Sequence, residues 1–411
     1  MNDATTSSPG PLNGLTVVDM TTSYAGPSAS MYLADLGATV VKVERPGFGD
    51  DARSWGPPFV QGASAWFASA NRNKKSVVVN VRHPEGIRVL HDLIGKADVF
   101  MQNLNPGKLA KLGVDHQTLT AKYPRLIYCA LSGFGLDGPD HQLPGYDLVA
   151  QARSGIMSVT GAKGGAPQRV STALSDVVTG MCAALAISAA AVRQARTNQG
   201  EVIDVSLLDT DLAIMAPRIA AHLAGEPEPA PSGGTDSVLA VYQSFPTADR
   251  EIVVAIGNDA MWHRFCAIAG LEDLSAEPSL ADNAGRQAKR TDITARVAER
   301  LQERPAADWL AVFGEHGVPA SLIQGLSEVV SDQQVLARES LMPVPGVDGL
   351  HSVHSPFRLA SQPIPRNERF PELGADTEEI LESLGYDLET IQQLTKDGAV
   401  ETYATSAEVL A

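Results

Sequence analysis

The stretch Leu15–Glu44, LTVVDMTTSYAGPSASMYLADLGATVVKVE, contains two β-branched runs separated by a helical segment. Leu15–Met20 and Thr39–Glu44 have the composition of buried strands, and Ser28–Leu36 between them has a helical pattern. The series continues along the chain, with strand-like runs at Ser76–Val81, Val99–Gln102, Leu126–Leu131 and Glu201–Ser206 and a helix at Ile87–Gly95. Because strands that alternate with helices form parallel sheets, the sequence predicts an α/β fold with a large, doubly wound domain.

A Pro/Gly/Ser-rich segment, GEPEPAPSGGTDS at 225–237, ends this alternation after a helical stretch at 207–224. Beyond it we predict one strand, Ile252–Ile256, and three helices, at Asp259–Ala269, Thr291–Arg300 and Ala306–His316. A loop-rich stretch at 343–367 then precedes a helical tail. The predicted parts are residues 1–224 (the N-terminal part of the large domain), 225–335 (a smaller α+β domain with its linkers) and 336–411 (a C-terminal segment).

The composition is that of an ordinary globular protein, with 411 residues, 44% hydrophobic and 19% charged, and a net charge of -16. Nucleic acids and anionic membranes repel such a surface, which argues against either as a partner. Cys129, Cys182 and Cys266 lack metal or disulfide spacing and are predicted to be reduced core thiols. The polar start of the chain, residues 1–14, lacks the apolar region of a signal peptide, and Met181–Val192 is too short to span a bilayer. These features predict a soluble cytoplasmic protein.

The motifs do not support two common kinds of cofactor site. GFGLDG at 133–138 fits the glycine pattern of a dinucleotide-binding turn, but Pro139 and a turn-rich loop follow where that turn requires a helix. The corresponding turn of the first strand–helix–strand unit, TTSYAGP, carries only one glycine. His351 and His354 form the only close histidine pair of the sequence, in a loop without a metal-binding pattern. We therefore predict neither a nicotinamide site nor a metal site.

Asp176 is the candidate nucleophile. It lies in Pro144–Met181, PGYDLVAQARSGIMSVTGAKGGAPQRVSTALSDVVTGM, after a Gly/Pro-rich loop and at the start of a long Ala-rich helix. A carboxylate at a helix N-terminus faces unpaired N–H groups and the positive end of the helix dipole, which favours the ionised form by about 0.3–1 kcal/mol. Covalent carboxylate catalysis needs an ionised, positioned Asp, although the same pattern fits a residue that only stabilises the helix start.

Several long blocks occur in a fixed order: GLTVVDMTTSYAGPSASMYLADLGATVVKVERPGFGDDAR, NRNKKSVVVNV, NLNPGKLAKLGVD, PRLIYCALSGFGLDGP and PGYDLVAQARSG. In these, and in the later PTADREIVVAIGNDAMWHRFC and GVPASLIQGLSEVVSDQQV, the sequence resembles class III CoA-transferases, the CaiB/BaiF family. That family also holds formyl-CoA transferase, carnitine CoA-transferase and α-methylacyl-CoA racemase. The resemblance implies a Rossmann-like large domain to which the C-terminal segment returns, so that each chain closes into a ring and two rings interlock as a homodimer.

CoA carries an adenine, a 3′-phosphate and a diphosphate, so its pocket needs fixed positive charge and backbone donors. Candidate cations follow predicted strands, although each of them also fits a solvated surface charge. The resemblance favours some of these cations, matches an Asn near the active site, and matches a short loop beside the pantetheine and thioester. The CoA-binding residues that we expect are Ser23, Tyr24, Ala25, Arg45, Arg72, Lys75, Asn103, Leu104, Lys111 and Leu112.

Tyr146 distinguishes a transferase from a racemase. The racemases of this family carry a His here, in a GHD motif, where it moves the α-proton; this sequence has GYD at 145–147, and a phenol with a pKa of about 10 is a poor base. We expect Tyr146 either to hydrogen-bond the substrate or to be a buried structural tyrosine. Gln151 either orients the acyl group or caps a buried carbonyl. Gly233 and Gly234 lie where formyl-CoA transferases have a longer glycine-rich lid, so a lid role for them is left open.

The resemblance and the residues together predict a CoA-transferase that forms a covalent intermediate on Asp176. It would move CoA from an acyl-CoA, such as succinyl-CoA or another small dicarboxylyl-CoA, to a carboxylic acid, between molecules or within one. Neither a metal nor a permanently bound cofactor is needed, because each step exchanges one activated acyl group for another. Two other functions stay open: an acyl-CoA racemase or epimerase that transfers the α-proton, and a non-catalytic CoA-binding protein.

Overall fold

The structure, a computed structural model, describes residues 10–361 and 367–403. Its strands are β1 (Thr16–Met20), β2 (Thr39–Glu44), β3 (Phe59–Val60), β4 (Ala63–Ser64), β5 (Lys74–Val79), β6 (Val99–Gln102), β7 (Ile127–Ser132), β8 (Glu201–Ser206), β9 (Tyr242–Pro246), β10 (Glu251–Ala255), β11 (Ala320–Leu322), β12 (Leu341–Pro343), β13 (His351–Val353) and β14 (Val400–Glu401). Its α-helices are α1 (Ala25–Asp35), α2 (Ala65–Asn71), α3 (Pro84–Lys96), α4 (Pro106–Leu112), α5 (His116–Lys122), α6 (Asp147–Arg153), α7 (Ile156–Val159), α8 (Leu174–Thr197), α9 (Leu207–Ile214), α10 (Ala216–Leu223), α11 (Asp259–Ala269), α12 (Glu272–Ala276), α13 (Asn283–Ala288), α14 (Arg290–Leu301), α15 (Ala306–Glu315), α16 (Leu326–Val329), α17 (Gln333–Ala337), α18 (Thr377–Ser383) and α19 (Leu388–Lys396).

The first of two compact units is built on a seven-stranded sheet in the order β14-β5-β2-β1-β6-β7-β8. Six of these strands are parallel, and β14 runs antiparallel to β5. Val17, Val40 and Val77 are at most 1% exposed, as expected of parallel strands covered on both faces. The predicted α/β fold with a parallel sheet is confirmed, and β2, β6 and β8 have the predicted bounds.

Helices cover both faces of this sheet. On one face, α3, α5, α18 and α19 share a core with Phe100 and Tyr128, and on the other face α1 and α8 pack over Val17. The two helices α1 and α8 meet closely at Gly180, where an added Cβ would lie 2.1 Å from Ser28 Oγ and 2.8 Å from the Ala25 carbonyl oxygen. The absence of a side chain at position 180 therefore lets the N-terminal parts of the two helices come together.

The second compact unit has a core of its own. It consists of residues 157–169 and 222–333, with an antiparallel sheet in the order β11-β10-β9. One face of this sheet, with Ile252 and Val254, packs against helices that carry Trp262 and Trp309. The predicted strand and three helices of this region are present as β10, α11, α14 and α15, and β9 and β11 complete the sheet.

The unit boundaries differ from the predicted ones at one place in particular. Residues 157–169 belong to the second unit, whereas the sequence prediction assigned them to the large domain. A hydrogen bond of 3.0 Å from Gly233 N to the Gly161 carbonyl oxygen ties this turn to the linker. The remaining changes of unit lie at 221/222 and 333/334, against predicted boundaries at 224/225 and 335/336. Positions 1–9, 362–366 and 404–411, which the predictions of a polar start and of a C-terminal segment include, lie outside the described residues.

The described residues from 334 onward belong to the first unit. Their last strand, β14, pairs Val400 with Val79 at the edge of the sheet. Before it, Asp376 Oδ2 accepts a hydrogen bond of 2.8 Å from Ser76 N. This part of the chain therefore completes the large sheet with the edge strand β14 and binds the neighbouring strand β5.

The long helix α8 bears on two sequence predictions, one about membrane spanning and one about Cys182, and it corrects the second. It has 24 residues, and an 18-residue window within it has a mean hydropathy of 1.7, so by length and composition alone it is long and apolar enough to cross a membrane. A core helix of a soluble protein passes the same test, and α8 buries one face against α1. Cys182, on its other face, is exposed, whereas Cys129 and Cys266 are buried as predicted. The error at Cys182 arises because α8 is apolar on its exposed face too, with Leu185 72% exposed.

Candidate active site

Asp176 lies in the first turn of α8 and is partly buried. Residue Ala173 precedes the helix and no side chain caps this helix end. Among residues 10–361 and 367–403, no group donates a hydrogen bond to the Asp176 carboxylate. The position of Asp176 at the helix start is therefore as predicted, but it does not act as a hydrogen-bonding cap.

Two further carboxylates surround this first turn. Burial and the charges of Asp147 and Asp211 raise the pKa of Asp176 from 3.8 to about 7. The sequence argument expected the opposite direction, because it considered only the helix dipole. Burial and like charge outweigh that dipole, whose effect at a helix end is about 0.3–1 kcal/mol. Asp176 is thus a carboxylate whose negative charge is disfavoured by its surroundings.

Ser175, the neighbour of Asp176 in the chain, is hydrogen-bonded to both of the other carboxylates. Its backbone N donates to Asp147 Oδ1 at 2.9 Å, and its hydroxyl donates to Asp211 Oδ2 at 2.8 Å. Asp211 is fully buried, and its other oxygen, Oδ1, has no hydrogen-bond partner within the described part of the chain. Sequence reasoning missed Asp211, although an acidic residue within the apolar run LLDTDLAIMA of α9 was the available signal. The turn that carries Asp176 is therefore held from two sides, by α6 and by α9.

Gly133 and Gly145, in the two loops that precede this site, pack directly against each other. A Cβ on Gly145 would lie 2.4 Å from Gly133 Cα, and one on Gly133 would lie 2.7 Å from Gly145 Cα. The backbones of the GFG and PGYD motifs therefore cross in direct contact, which leaves no room for a side chain. This crossing places the start of α6, and with it Asp147, and it accounts for Gly133 of the GFGLDG motif by packing.

The β1–α1 loop, residues 21–24, lies next to the first turns of α8. Asp176 precedes Gly180 by four residues and so shares its helix face, and Gly180 packs on Ala25 at the start of α1. Within the loop, Tyr24 packs its ring edge-on against Trp66, and its hydroxyl accepts a hydrogen bond of 3.2 Å from Ser69. Of the predicted residues, Ala25 therefore lies against the first turns of α8, and Ser23 and Tyr24 directly precede it in the chain.

A cavity of about 800 Å³ borders this loop at Thr21 and Thr22. It lies at the carboxyl ends of β1, β2, β5 and β6, where ligands of doubly wound sheets bind. Of the predicted CoA-binding residues, Arg45, Leu104, Lys111 and Leu112 line it. The other lining residues are Met20, Thr21, Thr22, Lys42, Val43, Glu44, Pro46, Phe48, Gly49, Asp50, Asp51, Ser54, Val79, Asn80, Val81, Arg82 and Lys108.

The rim of this cavity combines positive charge with an exposed aromatic ring. Phe48, in the loop after β2, is 80% exposed. The same loop is fastened by Gly47, whose backbone N donates to Glu401 Oε2 of β14 at 2.9 Å. Arg45 donates to the Gly49 carbonyl oxygen at 3.0 Å and forms an ion pair of 2.6 Å with Asp51, and about half of its side chain is exposed. The terminal strand of the sheet thus helps to shape the cavity opening.

Arg72 and Lys75, which the sequence analysis expects to bind CoA, do not line this cavity. Arg72 is 3% exposed and binds Asp35 through both its Nε and Nη2 atoms, at 3.0 and 2.5 Å. Its Nη1 donates to the Val353 carbonyl oxygen at 3.0 Å, so the guanidinium is used within the fold. Lys75 forms an ion pair of 2.5 Å with Glu379. Both cations precede or begin β5, whereas the cavity lies at the carboxyl end of that strand.

Asn103 does not line the cavity itself but holds a residue that does. Its side-chain Nδ2 donates to the Thr22 carbonyl oxygen at 2.9 Å, and its Oδ1 accepts from Thr22 N at 3.1 Å.

The predicted substrate residues occupy different environments. Tyr146 is 62% exposed, so the alternative of a buried structural tyrosine is wrong. Gln151 is fully buried; it donates to Asp147 Oδ2 at 2.7 Å and accepts from Val170 N at 2.9 Å, so it supports the carboxylate cluster rather than capping a carbonyl. Gly233 and Gly234 belong to the second unit and have left-handed backbones, with φ of 68° and 82°. In the described ranges, no group of three His, Cys, Asp or Glu could hold a metal ion.

Comparison with known proteins gives consistent matches over most of the chain. The profile of CoA-transferase family III matches residues 12–377. The mouse succinyl-CoA:glutarate CoA-transferase is 38% identical over 96% of this chain and 91% of its own length. The succinate–glutarate CoA-transferase of Agrobacterium fabrum is 34% identical over 93% of this chain and 97% of its own. The crystal structure of a CaiB/BaiF family protein from Brucella suis has a TM-score of 0.79 and 35% identity, covering 92% of this chain and all of that one.

Proposed function

Since the chain belongs to CoA-transferase family III and is a CoA-transferase, we propose that it transfers CoA between small dicarboxylic acids through a covalent intermediate on Asp176. The observation that carries the proposal is the state of Asp176. This carboxylate receives no hydrogen bond from the described residues, is destabilised as an anion by two others, and stands beside the loop that borders a large cavity. A poorly solvated carboxylate whose charge is not neutralised by a partner is a reactive nucleophile.

The reaction is a series of acyl exchanges. An Asp176 oxygen attacks the thioester carbon of the donor, the C–S bond breaks, and CoA leaves as the thiolate. The thiolate attacks Asp176 Cγ of the resulting anhydride and releases the donor acid as a carboxylate, leaving an aspartyl-CoA thioester. The acceptor carboxylate attacks the same Cγ and expels the thiolate again. In the last step the thiolate attacks the acceptor acyl carbon of the second anhydride, which restores Asp176 and forms the new acyl-CoA.

Asp147 and Asp211 favour this chemistry through charge. Each acylation converts the Asp176 anion into a neutral acyl group and so removes its repulsion with the two neighbouring carboxylates. Ser175, held by Asp147 and Asp211, keeps the attacked Cγ in one place through the successive exchanges. Exclusion of water from this partly buried turn protects the anhydrides from hydrolysis.

The 800 Å³ cavity is proposed to hold the nucleotide part of CoA. Arg45, Arg82, Lys108 and Lys111 line it and provide positive charge for the phosphates. Phe48, exposed at the rim, offers a flat apolar face to the adenine. The pantetheine arm would then pass the β1–α1 loop to reach Asp176, which lies beyond it.

Succinyl-CoA is proposed as a donor and glutarate as an acceptor, because the mouse and Agrobacterium relatives carry these acids in their names. The same cycle serves transfer between two acids or between two carboxyl groups of one acid. No observation on the site favours the racemase, since the exposed Tyr146 stands where that reaction needs a His.

We also propose that the chain closes into a ring, interlocks with a second copy and works in the cytoplasm. Exposed apolar side chains on α8 and nearby support a self-association surface, with Leu185 and Val192 exposed by 72% and 51%. Sedimentation velocity of the full chain should give a dimer mass, and a monomer at micromolar concentration would contradict the assembly.

The decisive experiment traps the acyl enzyme. The protein is incubated with succinyl-CoA, quenched with hydroxylamine and digested, and the peptide with Asp176 is searched for a hydroxamate by mass spectrometry. We expect the hydroxamate in the wild type and in Asp209→Asn, an exposed carboxylate of α9, but not in Asp176→Asn. A wild type that binds succinyl-CoA and carries no hydroxamate would refute Asp176 as nucleophile. Exchange of the α-hydrogen with deuterated water would then favour the racemase, and its absence the non-catalytic binder.

A further inference from the structure

The β1–α1 loop is held by side chains that bind the backbone of three successive residues, Thr21, Thr22 and Ser23. Lys42 Nζ donates to the Thr21 carbonyl oxygen at 3.0 Å. Asn103 binds both the N–H and the carbonyl of Thr22. Ser23 N donates to Asp50 Oδ1 at 2.9 Å. Contacts from three different places in the chain therefore fix a segment that has no regular secondary structure of its own.

Ser23 adopts a backbone conformation that it would not choose alone. Its φ is 74°, in the left-handed region that residues with a Cβ rarely occupy. Such a conformation persists only where the surroundings enforce it. The hydrogen bond from Ser23 N to Asp50 is the contact that acts on this residue directly.

Asp50 is itself held in a buried position. Its Oδ2 lies 2.8 Å from Lys42 Nζ, with both side chains fully buried, and its Oδ1 also accepts from Ala52 N at 3.0 Å. Its own backbone N donates to Glu44 Oε2 at 3.0 Å. A buried ion pair is weak evidence for stability, because the cost of desolvating both charges offsets their attraction. The arrangement does, however, fix the direction of the Asp50 oxygen that faces Ser23.

The loop in turn adjoins the reacting carboxylate. Ala25 follows the loop and packs against Gly180, one helical turn after Asp176. A shift of the loop would therefore move the wall that faces Asp176.

We propose that Asp50, held by Lys42, is a positioning residue that keeps Ser23 in its strained conformation and so fixes the β1–α1 loop beside Asp176. The assignment rests on the proposed function, because it concerns the rate at which a thioester acylates Asp176. Asp50 touches neither Asp176 nor the reacting atoms and acts through the loop backbone.

The test removes the hydrogen bond that Asp50 accepts from Ser23 N and, in a second variant, also the backbone strain at Ser23. Asp50→Ala should slow single-turnover acylation of Asp176 by succinyl-CoA about 10- to 100-fold. Adding Ser23→Gly to this variant should restore most of the rate, because glycine takes a positive φ without strain and needs no tether. Ser23→Gly alone should have a smaller effect than Asp50→Ala. A double variant as slow as Asp50→Ala, or an Asp50→Ala protein as fast as the wild type, would overturn the proposal.

Asp98→Ala is the matched control, since Asp98 Oδ2 accepts from Thr16 N at 3.0 Å at the opposite end of β1. It removes the same kind of contact and should leave acylation unchanged. If circular dichroism shows that Asp50→Ala is unfolded, Asp50→Asn takes its place. The asparagine amide then faces Lys42, which weakens the contact between positions 42 and 50. Adding Ser23→Gly to Asp50→Asn must again raise the acylation rate.

Amide hydrogen exchange tests the loop independently of catalysis. Without substrate, the peptide over residues 21–31 should exchange at least about tenfold faster in the Asp50 variant than in the wild type or in Asp98→Ala. Unchanged protection would overturn the proposal. A wild type that shows no hydroxamate on Asp176 would refute the proposed function instead, and the exchange data would still decide whether Asp50 holds the loop.

Discussion

Raising the pH from 5 to 8 should increase the acylation of Asp176 about 90-fold at a fixed, subsaturating donor concentration. With a pKa of about 7, roughly 1% of Asp176 is ionised at pH 5 and roughly 90% at pH 8. An Asp with the ordinary pKa of 3.8 would already be more than about 90% ionised at pH 5, and the rate would hardly change. The size of the increase therefore measures how strongly burial, Asp147 and Asp211 disfavour the anion.

The assay is a single-turnover reaction stopped with hydroxylamine, in wild type, Asp211→Asn and Asp209→Asn. The Asn at 211 keeps an oxygen for the Ser175 hydroxyl but removes one of the two repelling charges, so the midpoint should move to lower pH. Asp209→Asn should keep the wild-type profile. The phosphates of CoA titrate equally in all three proteins, so differences between the profiles belong to the protein. A flat profile between pH 5 and 8, or equal midpoints in the two variants, would refute the electrostatic argument.

Three further predictions concern stability and binding. The pKa of Asp176 in the folded protein, about 7, lies above its ordinary value of 3.8, so the folded state loses stability as the pH rises through this range. Asp176→Asn should therefore be more stable than the wild type at pH 8 by about 2–4 kcal/mol and equally stable at pH 4. Urea unfolding at the two pH values measures this difference. Gly145→Ala should cost more than about 2 kcal/mol because its Cβ meets Gly133, whereas Gly257→Ala, with nothing within 4 Å, should change stability by less than about 1 kcal/mol. Arg72→Met should cost about 3–5 kcal/mol by breaking a buried ion pair and leave the KM for the donor unchanged; a raised KM at wild-type stability would return Arg72 to the binding site.

The sheet could be predicted from the sequence because its strands are buried on both faces. Continuous β-branched runs such as Thr39–Glu44 are typical of such strands, and the bounds of β2, β6 and β8 agree with the prediction, whereas those of β1, β5 and β7 differ by one or two residues. The strand β14 was not predicted, because a strand of two residues shows no periodicity in the sequence. Its antiparallel pairing with β5 also depends on residues more than 300 positions away.

The candidate site was predictable only where the signal is local. Asp176 stands out by its place at the start of a long helix, but the pKa that defines its chemistry depends on Asp211, 35 residues further on, and on burial that a sequence does not display. Arg72 shows what a motif leaves out. The sequence indicates a cation for a phosphate but not the buried carboxylate that pairs with it in the fold, Asp35 at the end of α1.

The position of β14 has a consequence for synthesis of the chain. During translation, β5 leaves the ribosome more than 300 residues before Val400, so an edge of the large sheet has to wait unpaired while the second unit is made. Glu401, which fastens Gly47 at the cavity rim, arrives equally late. A nascent or prematurely terminated chain that lacks these residues therefore exposes an unpaired strand edge, which can pair with another chain, and also lacks the contact between Glu401 and Gly47 at the cavity rim. Pairing of β14 with β5 covers the open strand edge and, through Glu401, completes the cavity rim, so both changes occur in the same late step.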